Sequence, residues 1–168
     1  NITTSTVFPL KNGQTMTDID KTKITSLLLN SVSCPKCALD NNFMNDCTSL
    51  TEIDFSSFTS VTSIGNGFMG GCTSLQSIDF NGFNNVTFIG GWFMSGCKAL
   101  TTAYTTSLIS LTNIKDRFFN ECYALKSLDF SKSTSLINVG EAFLLDCRSL
   151  ESVDMGNISK IIGFRFKF

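Results

Sequence analysis

The chain has 168 residues, of which 42% are hydrophobic and 16% charged, and its formal net charge is −1. A chain of this length can bury a sizeable core, and its composition excludes a disordered, highly charged tail. The near-zero net charge gives no field that attracts nucleic acid, and no apolar run approaches the roughly 20 residues of a membrane span. We therefore predict neither a nucleic-acid partner nor a membrane span in this chain.

A 25-residue period runs through most of the sequence. Five cysteines share this spacing, and each is followed at a constant offset by a leucine. These cysteines are Cys47, Cys72, Cys97, Cys122 and Cys147. One period earlier, Thr22 occupies the cysteine position, Leu28 the position of Ile53 and Leu39 that of Ile64. The pattern predicts an N-terminal cap segment over residues 1–21 and a repeat solenoid of about six units over residues 22–168.

The first, degraded unit contains a pair of cysteines that lie outside the register of the repeat. The segment Cys34-Pro35-Lys36-Cys37 has redox spacing but no βαβ context, so a disulfide that closes this irregular turn is favoured. Such a bond would fit an oxidising, extracellular setting.

Each later unit predicts two short strands joined by tight turns. In Leu50-x-x-Ile53-x-Phe55, Ile53 and Phe55 face inward while Glu52 and Asp54 face outward, which is the period-two pattern of a strand packed on one side. A second strand is predicted at residues 61–64. A left-handed glycine is predicted after it at Gly65, Gly90 and Gly140, and a helical or 3-10 turn over residues 68–72. Stacked units would form parallel sheets with an inward column at each repeat position.

The unit over residues 64–78, with its Ile-Gly, Phe, Cys and Leu positions, resembles the BspA-like (Treponema pallidum type) leucine-rich repeat. The small residue that this family places before its phenylalanine corresponds here to Gly67, Trp92, Arg117 and Ala142. The resemblance implies a surface-exposed or secreted adhesion protein of the kind found in bacteria and protozoan parasites, and not an enzyme. A parallel β-helix is the alternative fold, against which the leucine spacing argues.

The cysteine column has two interpretations. Buried free thiols that pack as small hydrophobes are favoured over a row of disulfides, because equivalent side chains on stacked turns point the same way. Zinc needs four convergent ligands, which a linear column without histidine does not supply. We predict no metal site.

Outward positions supply the candidate binding surface. One column stacks four aspartates and a tyrosine: Asp54, Asp79, Tyr104, Asp129 and Asp154. Calcium could bind the carboxylates, but solvated aspartates are favoured because no loop supplies further ligands. In another column, Arg117 follows Trp92 by one period, which predicts a cation–π pair on adjacent turns. The alternative is that both aromatic residues cover local gaps.

Three sequons, at Asn1, Asn85 and Asn157, are candidate N-glycosylation sites. The sequence stops at Phe168 in the middle of a unit, which predicts an open C-terminal end that belongs to a fragment or is covered by another chain.

Two functions follow. The first is an extracellular or cell-surface binding module for a protein or glycan, and the second is a structural subunit of a coat or filament that self-assembles through its uncapped end. An enzyme is not predicted, because nucleophile–histidine pairs cannot form without histidine.

Overall fold

The structure, a computed structural model, describes residues 38–156 and the backbone of residues 26–28. The predicted N-terminal cap, the Cys34–Cys37 disulfide, the sequons at Asn1 and Asn157 and the open C-terminal end lie outside the described residues.

Each turn of the chain contributes one three-residue strand and one two-residue strand. The three-residue strands are β1 (Ser26–Leu28), β3 (Glu52–Asp54), β5 (Ser77–Asp79), β7 (Thr102–Tyr104), β9 (Ser127–Asp129) and β11 (Ser152–Asp154). The two-residue strands are β2 (Ala38–Leu39), β4 (Ser63–Ile64), β6 (Phe88–Ile89), β8 (Asn113–Ile114) and β10 (Asn138–Val139). Each strand pairs in parallel with its equivalent one turn away, which gives the sheets β1-β3, β5-β7-β9-β11 and β2-β4-β6-β8-β10. The predicted solenoid is confirmed, with about five described turns.

The core is a stack of equivalent side chains along the coil axis. Phe68 and Phe93 are fully buried and stack with ring centroids 5.1 Å apart, and Phe118 follows at 4.4 Å from Phe93. Aromatic pairs at these separations add about 0.5–1.5 kcal/mol each to the free energy gained by burial. Thr105 interrupts the column of Phe55 and Phe80; it is buried, and its hydroxyl donates a hydrogen bond of 2.6 Å to the Asp129 carbonyl oxygen. The polar side chain in this column is thus satisfied.

The cysteine column forms free thiols inside this core. Cys47, Cys72, Cys97 and Cys122 are buried and Cys147 is partly buried. From Cys72 onward, each sulfur donates to a carbonyl oxygen of the preceding turn, at 3.1–3.3 Å. Burial raises the pKa of Cys122 well above its ordinary range and that of Cys147 from 9.0 to about 11. The sulfur atoms from Cys72 onward therefore link successive turns, and the thiols of Cys122 and Cys147 stay protonated at neutral pH.

The turn before each cysteine is not helical. In the turns at residues 42–46, 67–71 and 92–96, every second residue has a left-handed backbone: φ is +68° at Gly67, +51° at Met69 and +71° at Gly71. Alternating left-handed residues cannot extend a right-handed helix, which explains why the expected helical or 3-10 turn is absent here.

The prediction of left-handed glycines at Gly65, Gly90 and Gly140 was wrong, because positive φ occurs at other glycines. These three positions lack a side chain for a different reason. A Cβ at Gly65 would lie 2.6 Å from the backbone nitrogen of Asn41 in the preceding turn, and a Cβ at Gly140 would lie 2.5 Å from that of Asp116. Glycine is needed here for close approach between turns.

The register of the first turn also differs from the prediction. Leu27, not Leu28, pairs with Ile53, while Leu39 pairs with Ile64 as expected. The spacing in sequence between paired residues is therefore one residue longer from β1 to β3 than from β2 to β4. The degraded first unit has this extra residue between its two strands. The regular period therefore predicts the position of β1 one residue too late in the sequence.

Candidate binding groove

A groove of about 510 Å³ opens on the turns that follow the two-residue strands. It crosses four successive turns of the coil. Its lining residues are Asn42, Asn45 and Asp46 from the first of these turns, Asn66, Gly67, Gly70 and Gly71 from the second, Trp92 and Ser95 from the third, and Glu121 from the fourth.

Missing side chains create the groove. The three turns at residues 42–46, 67–71 and 92–96 share the same left-handed pattern, so equivalent residues project in equivalent directions. At the outward positions the second turn has Gly67, Gly70 and Gly71, where the third turn has Trp92 and Ser95 at the first two. The second turn is therefore a low floor between two taller turns. Gly67 and Gly70 are buried, because side-chain oxygens of the preceding turn, from Asn42, Asn45 and Asp46, lie against the three glycines.

Backbone hydrogen bonds between turns hold this floor in place. The Gly67 N–H donates to the Gly91 carbonyl oxygen at 2.9 Å, and the Gly71 N–H donates to that of Ser95 at 2.8 Å. In the other direction, the Gly70 carbonyl oxygen accepts from the Asp46 N–H at 2.7 Å. These polar backbone groups of the floor are thus already used in the coil.

Trp92 forms one wall of the groove and is 51% exposed. The guanidinium carbon of Arg117, one turn further along, lies 4.7 Å from the centre of the Trp92 ring. Because Arg117 follows Trp92 in the stack and Gly67 precedes it, Arg117 covers the ring from the side away from the floor. This cation–π contact fixes the ring and leaves its other face toward the groove.

The backbone of Trp92 carries strain. Its φ is +60°, a conformation that costs a bulky L-residue roughly 1–3 kcal/mol. The equivalent floor position is Gly67, which adopts φ of +68° without that cost. A tryptophan kept in an unfavourable backbone state, with half of its surface exposed, contributes little to the core.

Polar side chains complete the groove. The Asn45 amide nitrogen donates to the Asp46 carboxylate at 2.8 Å. At the opposite end, the buried Asn120 amide nitrogen donates to Glu121 Oε1 at 3.2 Å and to Ser95 Oγ at 3.4 Å, so Asn120 positions two lining side chains. Its own Oδ1 is buried with no hydrogen-bond partner, which is the only such side-chain atom among the described residues. An unsatisfied buried acceptor costs about 1–3 kcal/mol, so the fold gives up stability at this end of the groove.

The three-residue strands β3, β5, β7, β9 and β11 place the aspartate column and Tyr104 on a different face from the groove. Asp79 pairs with Tyr104, and Asp129 with Asp154, while Tyr104 is 56% exposed. Asp54 accepts hydrogen bonds from the Ser56 hydroxyl and N–H, Asp129 from the Ser131 N–H and Asp154 from the Gly156 N–H. Hydrogen bonds from Ser131 lower the pKa of Asp129. These three carboxylates bind their own turns.

The calcium alternative gains no support from this arrangement. Within residues 38–156, no group of three or more His, Cys, Asp or Glu side chains lies close enough to hold a metal ion. Asn85 is exposed in a turn, where its amide nitrogen donates to the Thr59 carbonyl oxygen at 2.8 Å.

Most of the groove was not predicted from the sequence. The pair of Trp92 and Arg117 was a candidate, but the glycine floor and the polar residues Asn42, Asp46 and Glu121 were not. The signal was present, because Gly67, Gly70 and Gly71 are outward positions that lack side chains in the same turn. Recognising it required knowing which positions of the turn project outward.

Comparison with known proteins gives a consistent result for the fold. The family model described as "BspA type Leucine rich repeat region" matches residues 38–167 with six copies. A crystal structure of a leucine-rich repeat protein from Bacteroides ovatus is similar over 79% of this chain, with a TM-score of 0.54 and 19% sequence identity. The aligned part is 38% of that protein, and at this low identity the likeness shows the fold alone. No curated protein matches the sequence significantly. Among the described residues, no helix has the length and hydropathy of a membrane span.

Proposed function

Because the chain belongs to the BspA-type leucine-rich repeat family, we propose that it is a binding module at the cell surface or outside the cell, and that it holds a protein or glycan partner in the groove beside Trp92. This family is typically surface-associated and typically acts as a non-enzymatic binding scaffold. We propose no catalytic activity for the chain.

We choose the groove because of one observation: the half-exposed Trp92 lies beside the floor formed by three glycines. Small-molecule and partner sites are usually concave and combine an aromatic surface with a few placed polar groups. Tryptophan is also among the residues that contribute most to binding energy at interfaces. Tyr104 is equally exposed, but it lies on the face of a parallel sheet, where Asp129 and Asp154 are hydrogen-bonded to their own turns.

The test compares the two exposed aromatic residues on a panel of purified extracellular-matrix proteins, mucins and printed glycans. We expect the wild-type chain to bind at least one member, Trp92→Ala to bind it about tenfold more weakly or worse, and Tyr104→Ala to bind it with unchanged affinity. Circular dichroism checks that both variants are folded. The proposal fails if no member of the panel binds, or if Tyr104→Ala loses binding and Trp92→Ala keeps it.

A further inference from the structure

We propose that the groove binds a neutral glycan, with Trp92 stacked on one sugar ring and the side chains of Asn42, Asp46 and Glu121 binding its hydroxyl groups. This inference rests on the proposed function, since it names the chemical class of the ligand for the same groove.

The aromatic wall matches the apolar side of a sugar ring. One face of a pyranose carries several C–H groups, which pack on the electron-rich face of an aromatic ring, while the hydroxyl groups around the ring edge stay available for hydrogen bonds. Trp92 offers such a face to the groove, and Arg117 holds the ring from behind at 4.7 Å. Gly67 and Gly70 add no side chain beside this wall, so the space for a sugar ring is bounded only by the Asn42 and Asn45 side chains of the preceding turn.

The polar residues of the groove match sugar hydroxyls, which both donate and accept hydrogen bonds. The side-chain amides of Asn42 and Asn66 can donate and accept, and the Asn66 Oδ1 atom already accepts from the Gly91 N–H at 2.8 Å. The carboxylates of Asp46 and Glu121 each receive a hydrogen bond from an asparagine amide and retain further acceptor sites. These groups project from turns fixed by the coil, so no backbone segment has to become ordered when they bind.

The charge of the groove favours a neutral ligand. Its lining contains two carboxylates, Asp46 and Glu121, and no lysine or arginine among the described residues. A sialylated, sulfated or phosphorylated ligand would bring like charge beside these carboxylates, which is unfavourable in a partly desolvated site.

An extended peptide fits less well. Peptides that bind by strand addition need an edge of unpaired backbone groups. The floor offers no such edge, because the N–H groups of Gly67 and Gly71 and the carbonyl oxygen of Gly70 already bond to neighbouring turns. Recognition in this groove therefore depends on side chains.

The length of the groove sets the size of the ligand. Neighbouring strands lie about 4.8 Å apart, so the four lining turns, from that of Asn42 to that of Glu121, span about 14 Å. A span of this kind accommodates a di- or trisaccharide.

The experiment uses the fluorescence of Trp92, which is the only tryptophan of the chain. The full chain is titrated with cellotriose, maltotriose and triacetylchitotriose, and then screened on a glycan array, with sialyllactose and triglycine as charged and peptide comparators. We expect a saturable blue shift of the emission with at least one neutral glycan and a weaker response to both comparators.

Gly70→Asn provides the variant that fills the groove while keeping the fluorophore. A Cβ at Gly70 would lie 2.7 Å from the Asn45 Oδ1 atom, which is the mobile end of a side chain, and Gly70 does not have a left-handed backbone. Ala142→Asn adds the same side chain in the fifth turn, outside the groove, at a left-handed position that asparagine tolerates, and serves as the control. We expect Gly70→Asn to weaken binding by about tenfold or more and Ala142→Asn to change it by less than about twofold.

Several results overturn the inference: no neutral glycan shifts the emission or binds on the array, sialyllactose or triglycine binds more tightly, or Gly70→Asn binds as the wild type does. If proteins bind to the chain and Trp92→Ala abolishes that binding while no glycan binds, the proposed function stands and the glycan inference falls. Calorimetry with Trp92→Ala checks the result without fluorescence.

Discussion

The turns at residues 67–71 and 92–96 have nearly the same backbone conformation but expose very different residues on the outside. Their left-handed angles agree closely, with φ of +68°, +51° and +71° in the first and +60°, +54° and +76° in the second. Inward, both place a phenylalanine and a methionine in the core. Outward, Gly67 and Gly70 leave a floor where Trp92 and Ser95 build a wall.

The coil and the groove are thus specified by different positions of the repeat. The inward residues repeat because each must fit the same residue above and below it, so substitutions there destabilise the stack. The outward residues contact little of the core and can vary from turn to turn. The groove arises where a turn with glycine at its outward positions is followed by a turn with Trp92 and Ser95.

The largest expected effect concerns the core residues of the two turns, which should contribute equally to stability. Phe68 and Phe93 are fully buried, and each packs against other phenylalanine rings on both sides. We expect Phe68→Ala and Phe93→Ala each to lower the free energy of unfolding by about 3–5 kcal/mol, measured by urea denaturation. A loss of less than about 1 kcal/mol in one variant and not in the other would show that the two turns are not equivalent inside.

A smaller effect concerns the left-handed backbone conformation that the two turns share. Gly67 has φ of +68°, and a Cβ there would lie 2.4 Å from the Asn42 Oδ1 atom. Because an L-residue in this conformation costs about 1–2 kcal/mol, we expect Gly67→Ala to destabilise the chain by at least that amount in the same assay. Unchanged stability would mean that the floor turn does not have this left-handed backbone.

The interior could be predicted well from the sequence and the groove poorly, for physical reasons. The column of Phe68, Phe93 and Phe118 needs only the assumption that equivalent repeat positions stack, and the pair of Trp92 and Arg117 follows from the same rule. The glycines were harder to interpret, since Gly65 is required for close approach and Gly67 for its left-handed angle. Because both residues are glycine, only the conformation of the backbone distinguishes these two roles.

The free energy of unfolding should also depend on pH, through Cys147, which is only partly buried in the core. The pKa of Cys147 is about 11 in the folded chain, compared with 9.0 for an ordinary thiol, because burial disfavours the thiolate. The unfolded chain therefore releases this proton first as the pH rises. The stabilisation is fully present below pH 9 and is lost as the pH rises toward 11.

We expect the free energy of unfolding to fall over this alkaline range, and to fall less steeply in Cys147→Ser, which has no thiol at this position. Denaturation at a series of pH values measures both slopes. Identical slopes in the two proteins would contradict the assigned burial of Cys147.

The smallest expected effect concerns the wall itself. Trp92→Gly copies the residue at Gly67 and relieves the left-handed strain, while it loses an exposed cation–π contact of about 0.5–1 kcal/mol. Since these contributions oppose each other, we expect the free energy of unfolding to change by less than about 1 kcal/mol. A loss of about 3 kcal/mol, typical of a buried aromatic residue, would show that Trp92 serves the fold.

The most direct test of the central claim is to map the ligand-binding face by nuclear magnetic resonance. In ¹H–¹⁵N spectra of the chain titrated with cellotriose, maltotriose and triacetylchitotriose, we expect shifts at the amides of Gly67, Gly70 and Gly71 and at the Trp92 indole N–H. The amides of Asp79 and Tyr104, on the other face, should stay in place. Shifts confined to Asp79, Tyr104 and their sheet neighbours would contradict the claim that the groove is the binding face.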